Sequence, residues 1–325
     1  MIYMIYPWQI ESWKALQALR ERMPHALLIH GPQGIGKLAL AEHLAQSLLC
    51  ESRDRSRVPC GECDGCRWFV AGSHPDFRRV EPESLARRTE AAEDADEPPA
   101  RAAKPSVEIK VDQIRALDDF LNLRSHREGR RAVLVHPAEA MNANAANALL
   151  KGLEEPPGSA LFILVSHRPS RLLATVRSRC VPFPVPVPDF AAARSWLEAQ
   201  GAEDPGRWLA FAAGAPLLAL SYVQGPGQSL ERALRALEAR DMGALGTVDD
   251  RERIEVLAEA LQKHALDKAL ASYCGRGRFG ETAPSPNGAA WLRYARAMGR
   301  NRALARHPLN PRLFAEEMLR EMPKE

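Results

Sequence analysis

The stretch that decides the fold is His25-Ala-Leu-Leu-Ile-His-Gly-Pro-Gln-Gly-Ile-Gly-Lys37. It opens with a short apolar run, which is typical of a buried β-strand, and continues into a glycine-rich turn. Apolar residues at helical spacing predict a helix directly after it, over residues 38–49. A strand, a glycine-rich turn and a helix in this order predict a phosphate-binding loop, whose backbone N–H groups surround phosphate oxygens while its lysine reaches the β- and γ-phosphates. The candidate nucleotide-binding residues are Gly31, Gly34, Gly36 and Lys37.

Outward from this loop, short apolar strands alternate with helices as far as residue 185. Further strands are predicted over residues 132–135, 161–165 and 181–183, and helices over residues 111–121 and 144–154. Such alternation favours an α/β domain with a parallel sheet covered on both faces. A proline-rich linker follows at residues 182–188, and the remaining pattern is helical. We therefore expect an α/β core over residues 1–185, a small helical domain over 186–225 and a larger one over 226–325.

The magnesium side of the loop departs from that of an active nucleotide hydrolase. The residue after the lysine should carry a hydroxyl group for Mg²⁺, and here it is Leu38. The strand over 132–135 should end in acidic residues, but it ends in His136 and Pro137. Glu139 is interpreted as a solvated surface carboxylate. Hydrolysis and magnesium binding are therefore not expected, whereas nucleotide binding stays open.

Four of the six cysteines lie within 17 residues and form a candidate metal site. The spacing Cys50-x9-Cys60-x2-Cys63-x2-Cys66 supplies four thiolates, enough for a closed tetrahedral zinc site with a structural role. An iron–sulfur cluster and free thiols are the weaker alternatives. His43 or His74 could replace Cys50 as the fourth ligand.

Composition limits the classes of function. The chain has 325 residues with 44 Lys and Arg against 41 Asp and Glu, a net charge of +3, which excludes a polybasic nucleic-acid coat or an acidic tail. No apolar stretch approaches the about 18 residues of a membrane span, and the first residues do not have the pattern of a signal peptide. We expect a cytoplasmic protein without membrane contact. Residues 81–103 are rich in Ala, Glu, Asp and Pro and are interpreted as a flexible acidic insertion.

Several motifs together resemble the AAA+ clamp-loader subunits of bacterial DNA polymerase III. They are the phosphate loop at 25–37, the four cysteines, Gly72-Ser-His-Pro-Asp76, Asn147-Ala-Leu-Leu-Lys-Gly-Leu-Glu-Glu-Pro-Pro157 and Arg171-Leu-Leu-Ala-Thr-Val-Arg-Ser-Arg-Cys180. The resemblance implies an AAA+ core with a RecA-like parallel sheet, a helical lid and an all-α collar that joins five subunits in a ring. It also implies that Arg179, in the Ser-Arg-Cys motif, acts in trans on the γ-phosphate bound by the next subunit. Without the motif, Arg179 would be a plain surface or salt-bridging arginine.

Two further positions compare with the active subunits of that family. Ser166 stands at the polar sensor position and could still donate or accept a hydrogen bond, whereas Leu217 stands where a second sensor arginine is expected. The resemblance thus implies a non-hydrolysing subunit of the polymerase III holoenzyme, with partner loader subunits, the sliding clamp and primed DNA reached through the complex. The alternatives are an atypical ATPase, which would turn over ATP alone, and a zinc-dependent nucleic-acid-binding module, whose DNA binding would depend on salt and zinc.

Overall fold

A computed structural model describes residues 5–52, 54, 58–86, 105–122, 130–224, 251–277, 286–304 and 310–323. The chain divides into two compact units. The first unit comprises Met1–Pro32 and Gly36–Pro186, and the second comprises Gln33–Ile35 and Val187–Glu325.

The first unit is built on a five-stranded sheet. Its strands are β1 (Ala26–His30), β2 (Phe77–Val80), β3 (Arg131–Val135), β4 (Ala160–Ser166) and β5 (Val181–Pro184). Every pairing is parallel, in the order β2-β3-β4-β1-β5. The register sets Leu28 opposite Leu164, so the apolar runs of the two central strands lie side by side. The predicted α/β core with a parallel sheet is confirmed.

Helices cover both faces of this sheet because the strands are apolar on both faces. They are α1 (Ile10–Ala18), α2 (Lys37–Leu49), α3 (Asp64–Val70), α4 (Val111–Asn122), α5 (Ala143–Glu154) and α6 (Ala174–Arg177). Phe162 of β4 is fully buried in one core cluster with Leu117 of α4 and Leu149 of α5. Asn142 begins α5 by accepting the N–H of Ala145 at 2.9 Å, which satisfies one of the free donors of its first turn.

Three elements of this unit were not predicted from the sequence: strand β2 and helices α3 and α6. Strand β2 carries two arginines, and Arg79 forms ion pairs with Glu42 at 2.6 Å and with Glu81 at 2.8 Å. The start of the predicted acidic insertion therefore belongs to the fold, as does the hydrogen bond from Ser84 N–H to the Ser106 carbonyl at 3.0 Å. Residues 87–104, the rest of that insertion, lie outside the described residues.

A buried ion pair joins the start of β2 to β3. Asp76 Oδ1 lies 3.5 Å from Arg131 Nε, and both side chains are 8% exposed. Arg131 also donates to the Leu121 carbonyl at 2.8 Å, and its guanidinium lies over the Phe120 ring. Because Asp76 is the last residue of the Gly-Ser-His-Pro-Asp motif, part of that motif has a purely structural explanation.

The second unit is helical in its described part. Its helices are α7 (Phe190–Ala199), α8 (Pro205–Phe211), α9 (Pro216–Val223), α10 (Arg251–Cys274), α11 (Gly288–Leu304) and α12 (Pro311–Arg320). Phe211 of α8 stacks on His264 of α10, with ring centroids 4.7 Å apart, and Tyr294 of α11 donates to the Met318 carbonyl of α12 at 3.0 Å. A helical C-terminal region is therefore present. The predicted boundary between its two domains, at residues 225–226, lies outside the described residues.

Among the described residues, no helix combines the length and apolarity needed to cross a bilayer.

Candidate functional site

The glycine-rich turn lies between β1 and α2, at the carboxyl end of the sheet. The Gly31 N–H donates to the Ser166 carbonyl of the neighbouring strand at 3.3 Å. Gly36 begins α2 with a φ of +86°, and a Cβ atom there would lie 2.5 Å from the Tyr6 ring and 2.8 Å from Gln9 Nε2. Only glycine fits this backbone and this close approach. Tyr6 and Gln9 therefore support the loop, a role that no pattern in the sequence signalled.

The tip of the turn belongs to the second unit. The Gly34 carbonyl accepts the N–H of Leu217 at 2.9 Å. Gly34 also has a positive φ of +82°, and a Cβ atom there would lie 2.5 Å from that of Leu218. Leu217, at the expected second sensor position, therefore contributes its backbone to this unit.

Lys37 is buried against its own loop. Its side chain is 2% exposed among the residues around it, and Nζ donates to the Pro32 carbonyl at 2.5 Å. Burial lowers the pKa of Lys37 to about 8, and the charge of Glu139 opposes that shift. The ammonium group is therefore mostly protonated near pH 7, and it sits in low-dielectric surroundings where an anionic ligand would be attracted strongly.

Glu139 corrects one expectation from the sequence. Its Oε1 accepts the N–H groups of His167 at 2.8 Å and Arg168 at 3.1 Å, and its Oε2 is buried without a hydrogen-bond partner. The prediction of a solvated surface carboxylate is therefore wrong. The short 3₁₀ turn Ala138–Ala140 carries Glu139 back to the end of β4, where two backbone donors face it.

Two histidines follow the central strands beside this carboxylate. His136 follows β3 and His167 follows β4, and their ring centroids are 5.3 Å apart. Burial, followed by the neighbouring positive groups, lowers the pKa of His136 to about 3 and that of His167 to about 4. Both imidazoles are therefore neutral near pH 7. Ser166, which directly precedes His167, is fully buried. Its Oγ accepts the Arg168 N–H at 3.2 Å.

The lowered pKa of His136 predicts that acid destabilises the protein. Between its usual pKa of 6.5 and the folded value of about 3, the unfolded chain binds a proton that the folded chain does not. The free energy of unfolding therefore falls as pH falls, by about 2 kcal/mol from this group between pH 7 and pH 5. In His136→Asn, urea titrations should show a pH-dependent loss about 2 kcal/mol smaller than in the wild type. Equal losses in both proteins would contradict the burial of a neutral imidazole.

The four predicted metal ligands converge. The Sγ atoms of Cys50, Cys60, Cys63 and Cys66 all lie within 4.8 Å of one another. Two of the separations are 4.0 Å, between Cys60 and Cys66, and 3.9 Å, between Cys63 and Cys50. A tetrahedral zinc ion with Zn–S bonds of about 2.3 Å requires sulfur atoms about 3.8 Å apart. The donor set and its dimensions are therefore compatible with zinc.

The surroundings of these sulfur atoms favour the thiolate form at Cys60 and Cys63 and disfavour it at Cys50 and Cys66. Cys63 Sγ accepts the N–H groups of Glu51 and Cys66, each at 3.4 Å. Backbone N–H groups, that of Glu62 first, lower the pKa of the Cys60 thiol to about 7. Burial raises the pKa of Cys50 and Cys66 and so favours the neutral thiol there. Hydrogen bonds from backbone N–H groups stabilise negative charge on sulfur.

Neither alternative ligand belongs to this group. His74 Nδ1 accepts the N–H of Asp76 at 3.0 Å, and the His43 ring packs edge-on against Trp13 at 4.4 Å. Cys50, directly after α2, completes the set instead.

Arg179 lies just beyond α6 and is about one-third exposed. Its Nη1 donates to the Thr175 carbonyl at 2.9 Å, and its Nη2 forms an ion pair with Glu154 of α5. The half-exposed Glu154 belongs to the Leu-Glu-Glu-Pro-Pro segment, whose charged residues had no explanation from packing. The structure thus brings together two of the motifs that carry the family resemblance.

The comparisons with known proteins agree with these features. A family model described as DNA polymerase III, delta subunit, matches residues 9–188, which is more than half of the chain. A delta-prime subunit of DNA polymerase III from Yersinia pestis is 34% identical, over 84% of this chain and 78% of that protein. The chain belongs to the DNA polymerase III delta-prime family.

Other relatives extend the comparison. The delta-prime subunit from Pseudomonas aeruginosa is 44% identical to this family member over 70% of this chain, and the match spans 64% of that relative's own length. The tau subunit from Escherichia coli is 30% identical, over 77% of this chain and 36% of its own. Among solved structures, a gamma-subunit-related protein from Thermotoga maritima matches 95% of this chain and 97% of its own, at 18% identity and a TM-score of 0.49.

Proposed function

We propose that this delta-prime family member is a non-hydrolysing subunit of the DNA polymerase III clamp loader. In this role it supplies Arg179 in trans to the ATP site of a neighbouring subunit while the sliding clamp is loaded onto primed DNA. The observation that carries the proposal is the partly exposed Arg179 held by weak local contacts after α6, in the motif that the loader subunits share. The expected partners are the other subunits of a hetero-pentamer, the clamp and primed DNA.

The chemistry of Arg179 fits such a role. A guanidinium group is always protonated and presents a planar set of donors that matches phosphate oxygens. In this chain the donors are occupied by one carbonyl oxygen and one half-exposed carboxylate. An ion pair exposed to this extent contributes at most about 1 kcal/mol. A γ-phosphate on an adjoining subunit could therefore compete successfully for the same donors.

The chain's own phosphate loop supports the non-hydrolysing part of the proposal. Leu38 occupies the position of the metal-binding hydroxyl group and has no ligand atom. The position after β3 holds His136, and imidazole nitrogen is not a ligand that Mg²⁺ prefers. Glu139 is a carboxylate whose charge acts on Lys37, and one of its oxygens already accepts two backbone N–H groups.

The four cysteines would hold a structural zinc ion. With four sulfur ligands such a site has no open position, so the ion would supply folding stability and no catalysis. The residues between α2 and α3 would be fixed by it, since Cys50 follows α2 and Cys66 lies within α3.

The test is DNA-stimulated ATP hydrolysis by the reconstituted loader. Arg179→Ala should slow ATP hydrolysis by a factor of about 10³ at the neighbouring subunit's ATP site, because it removes a group that stabilises the transition state. The total ATPase rate of the loader should fall by the fraction that this site contributes. Arg177→Ala, an exposed arginine two residues away, is the matched control and should leave turnover unchanged. Lys37→Ala should also leave turnover unchanged, and the isolated chain should show none. Gel filtration verifies that each variant assembles.

Two results would contradict the proposal. Unchanged turnover in an intact Arg179→Ala loader would remove the trans-acting role. ATP turnover by the isolated chain that disappears in Lys37→Ala would instead identify an atypical ATPase.

A further inference from the structure

An ion pair joins two of the family's sequence motifs at the surface of the first unit. Glu154, the last residue of α5, contacts Nη2 of Arg179, which follows α6. Both side chains stay partly exposed, Arg179 at 34% and Glu154 at 50%. An ion pair this exposed stabilises a fold very little. Its contribution to stability therefore does not explain why the two charges meet.

The backbone on both sides of this ion pair is fixed by the core. Glu154 directly follows Leu153, which is buried in the core cluster of the sheet. Arg179 directly precedes Cys180, which belongs to the same cluster. The Leu153 carbonyl also accepts a hydrogen bond from His25 Nε2 at 3.0 Å. The fold therefore sets the backbone positions of both charged residues, and the long, rotatable side chain of Arg179 is what remains to be ordered.

Two acceptors on different nitrogens order the end of that side chain. The Thr175 carbonyl accepts from Nη1 at 2.9 Å, and the Glu154 carboxylate faces Nη2. Because a guanidinium group is planar and rigid, contacts at two of its nitrogens define its orientation. The group carries more N–H donors than these two contacts use, so it can hold Glu154 and still donate to a further acceptor.

We propose that Glu154 is a positioning residue for Arg179, whose guanidinium group it holds ready for the γ-phosphate of ATP bound by the neighbouring subunit. The inference rests on the function proposed above and adds a residue that acts through Arg179 without contacting the phosphate. The phosphate takes the remaining N–H groups and displaces the neutral Thr175 carbonyl, while Glu154 keeps Nη2. Ordering a long side chain costs entropy, and a contact made before ATP arrives removes that cost from the hydrolysis step.

Glu154→Ala should slow hydrolysis at the neighbouring subunit's ATP site by about three- to tenfold, the cost of ordering one long side chain. The loader should then lose about two-thirds to nine-tenths of the ATPase rate that Arg179→Ala removes. Glu154→Gln keeps an oxygen acceptor at the same place, so it should hydrolyse ATP within about twofold of the wild type. Glu155→Ala removes the same charge from the next, exposed residue, and as the matched control it should hydrolyse ATP at the wild-type rate.

The experiment is DNA-stimulated ATP hydrolysis by the reconstituted loader, with gel filtration to verify assembly of each variant. A double variant, Glu154→Ala with Arg179→Ala, distinguishes positioning from a general structural effect. It should hydrolyse ATP as fast as Arg179→Ala alone, because no guanidinium group is left to position. A structural role of Glu154 would instead add its own loss to that of Arg179→Ala.

The isolated full-length chain gives a second measurement that does not depend on activity. NMR relaxation of the Arg179 Nε–H group reports the order of the side chain on the picosecond to nanosecond timescale. Its order parameter should be lower in Glu154→Ala than in the wild type, and Glu154→Gln should retain most of the wild-type value.

Several results would overturn the inference. They are an assembled Glu154→Ala loader that hydrolyses ATP as fast as the wild type or faster, Glu154→Gln as slow as Glu154→Ala, additive losses in the double variant, or an Arg179 side chain equally ordered without Glu154. A faster Glu154→Ala loader would make Glu154 a competitor for Arg179 instead. If Arg179→Ala slows the loader and Glu154→Ala does not, this inference fails alone. If Arg179→Ala leaves turnover unchanged, the proposed function fails with it.

Discussion

Cys63→Ser is expected to abolish metal binding and to unfold the segment between α2 and α3. Structural zinc contributes about 10–16 kcal/mol of binding free energy in small zinc modules, and in such sites that energy is folding energy. The substitution is selective, because Cys63 is also the residue that begins α3 by accepting the Cys66 N–H, and serine preserves that cap. Elemental analysis should give one zinc per wild-type chain and none per variant. Hydrogen exchange should increase at residues 58–70.

The matched control is Cys274→Ser. Cys274 is exposed at the end of α10 and takes no part in the four-cysteine group, so its replacement should change neither zinc content nor exchange. If the wild-type protein contains iron and absorbs visible light, the four cysteines hold an iron–sulfur cluster and not zinc. A metal-free wild type with full protection in this segment would contradict any metal role.

Asp76→Ala is expected to cost about 3–5 kcal/mol of unfolding free energy, because it leaves a buried charge without its partner. Arg131 is 8% exposed, its guanidinium lies over the Phe120 ring, and it keeps one hydrogen bond to the Leu121 carbonyl. Urea unfolding, monitored by amide signals of the sheet so that it reports the first unit, measures the loss.

Two further variants distinguish the loss of the Asp76–Arg131 ion pair from the general effect of replacing an aspartate with alanine. Asp112→Ala removes an exposed ion pair with Arg115, whose side chains are 84% and 70% exposed, and should cost less than about 1 kcal/mol. Asp76→Ala combined with Arg131→Met removes both charges and should recover much of the lost stability. A double variant as unstable as the single one would show that Asp76 acts through something other than Arg131.

The sequence could predict the central strands because their apolar runs are continuous. Strands β1, β3 and β4 are buried on both faces, so nearly every residue in them is apolar. Strand β2 could not be found in this way. It lies at the sheet edge, and its two central residues are arginines, one exposed and one held by two carboxylates. Edge strands carry charge for this reason, and charge hides them from a search for apolar runs.

At the candidate site, too, residues that form local motifs could be predicted from the sequence, whereas residues brought together by distant contacts could not. The glycines, Lys37 and the four cysteines are close in sequence, so their spacing alone predicts what they can bind. Glu139, in contrast, is held by the N–H of His167, which lies 28 residues further along the chain. Tyr6 reaches Gly36 across a comparable distance. No local pattern contains such contacts. The role of Arg179 depends on a second subunit and stays a prediction.

Helix α2 has a consequence for the spacing of the whole site. It begins at Lys37 and ends at Leu49, directly before Cys50, so a single helix of 13 residues carries the predicted phosphate loop at one end and a predicted metal ligand at the other. Each residue of an α-helix advances about 1.5 Å and turns about 100°. Deleting one residue would therefore rotate Cys50 by more than a quarter turn about the axis, away from its three partners. Side chains along this helix can change in evolution, but its length is constrained, because adding or removing a residue rotates one end of the helix relative to the other.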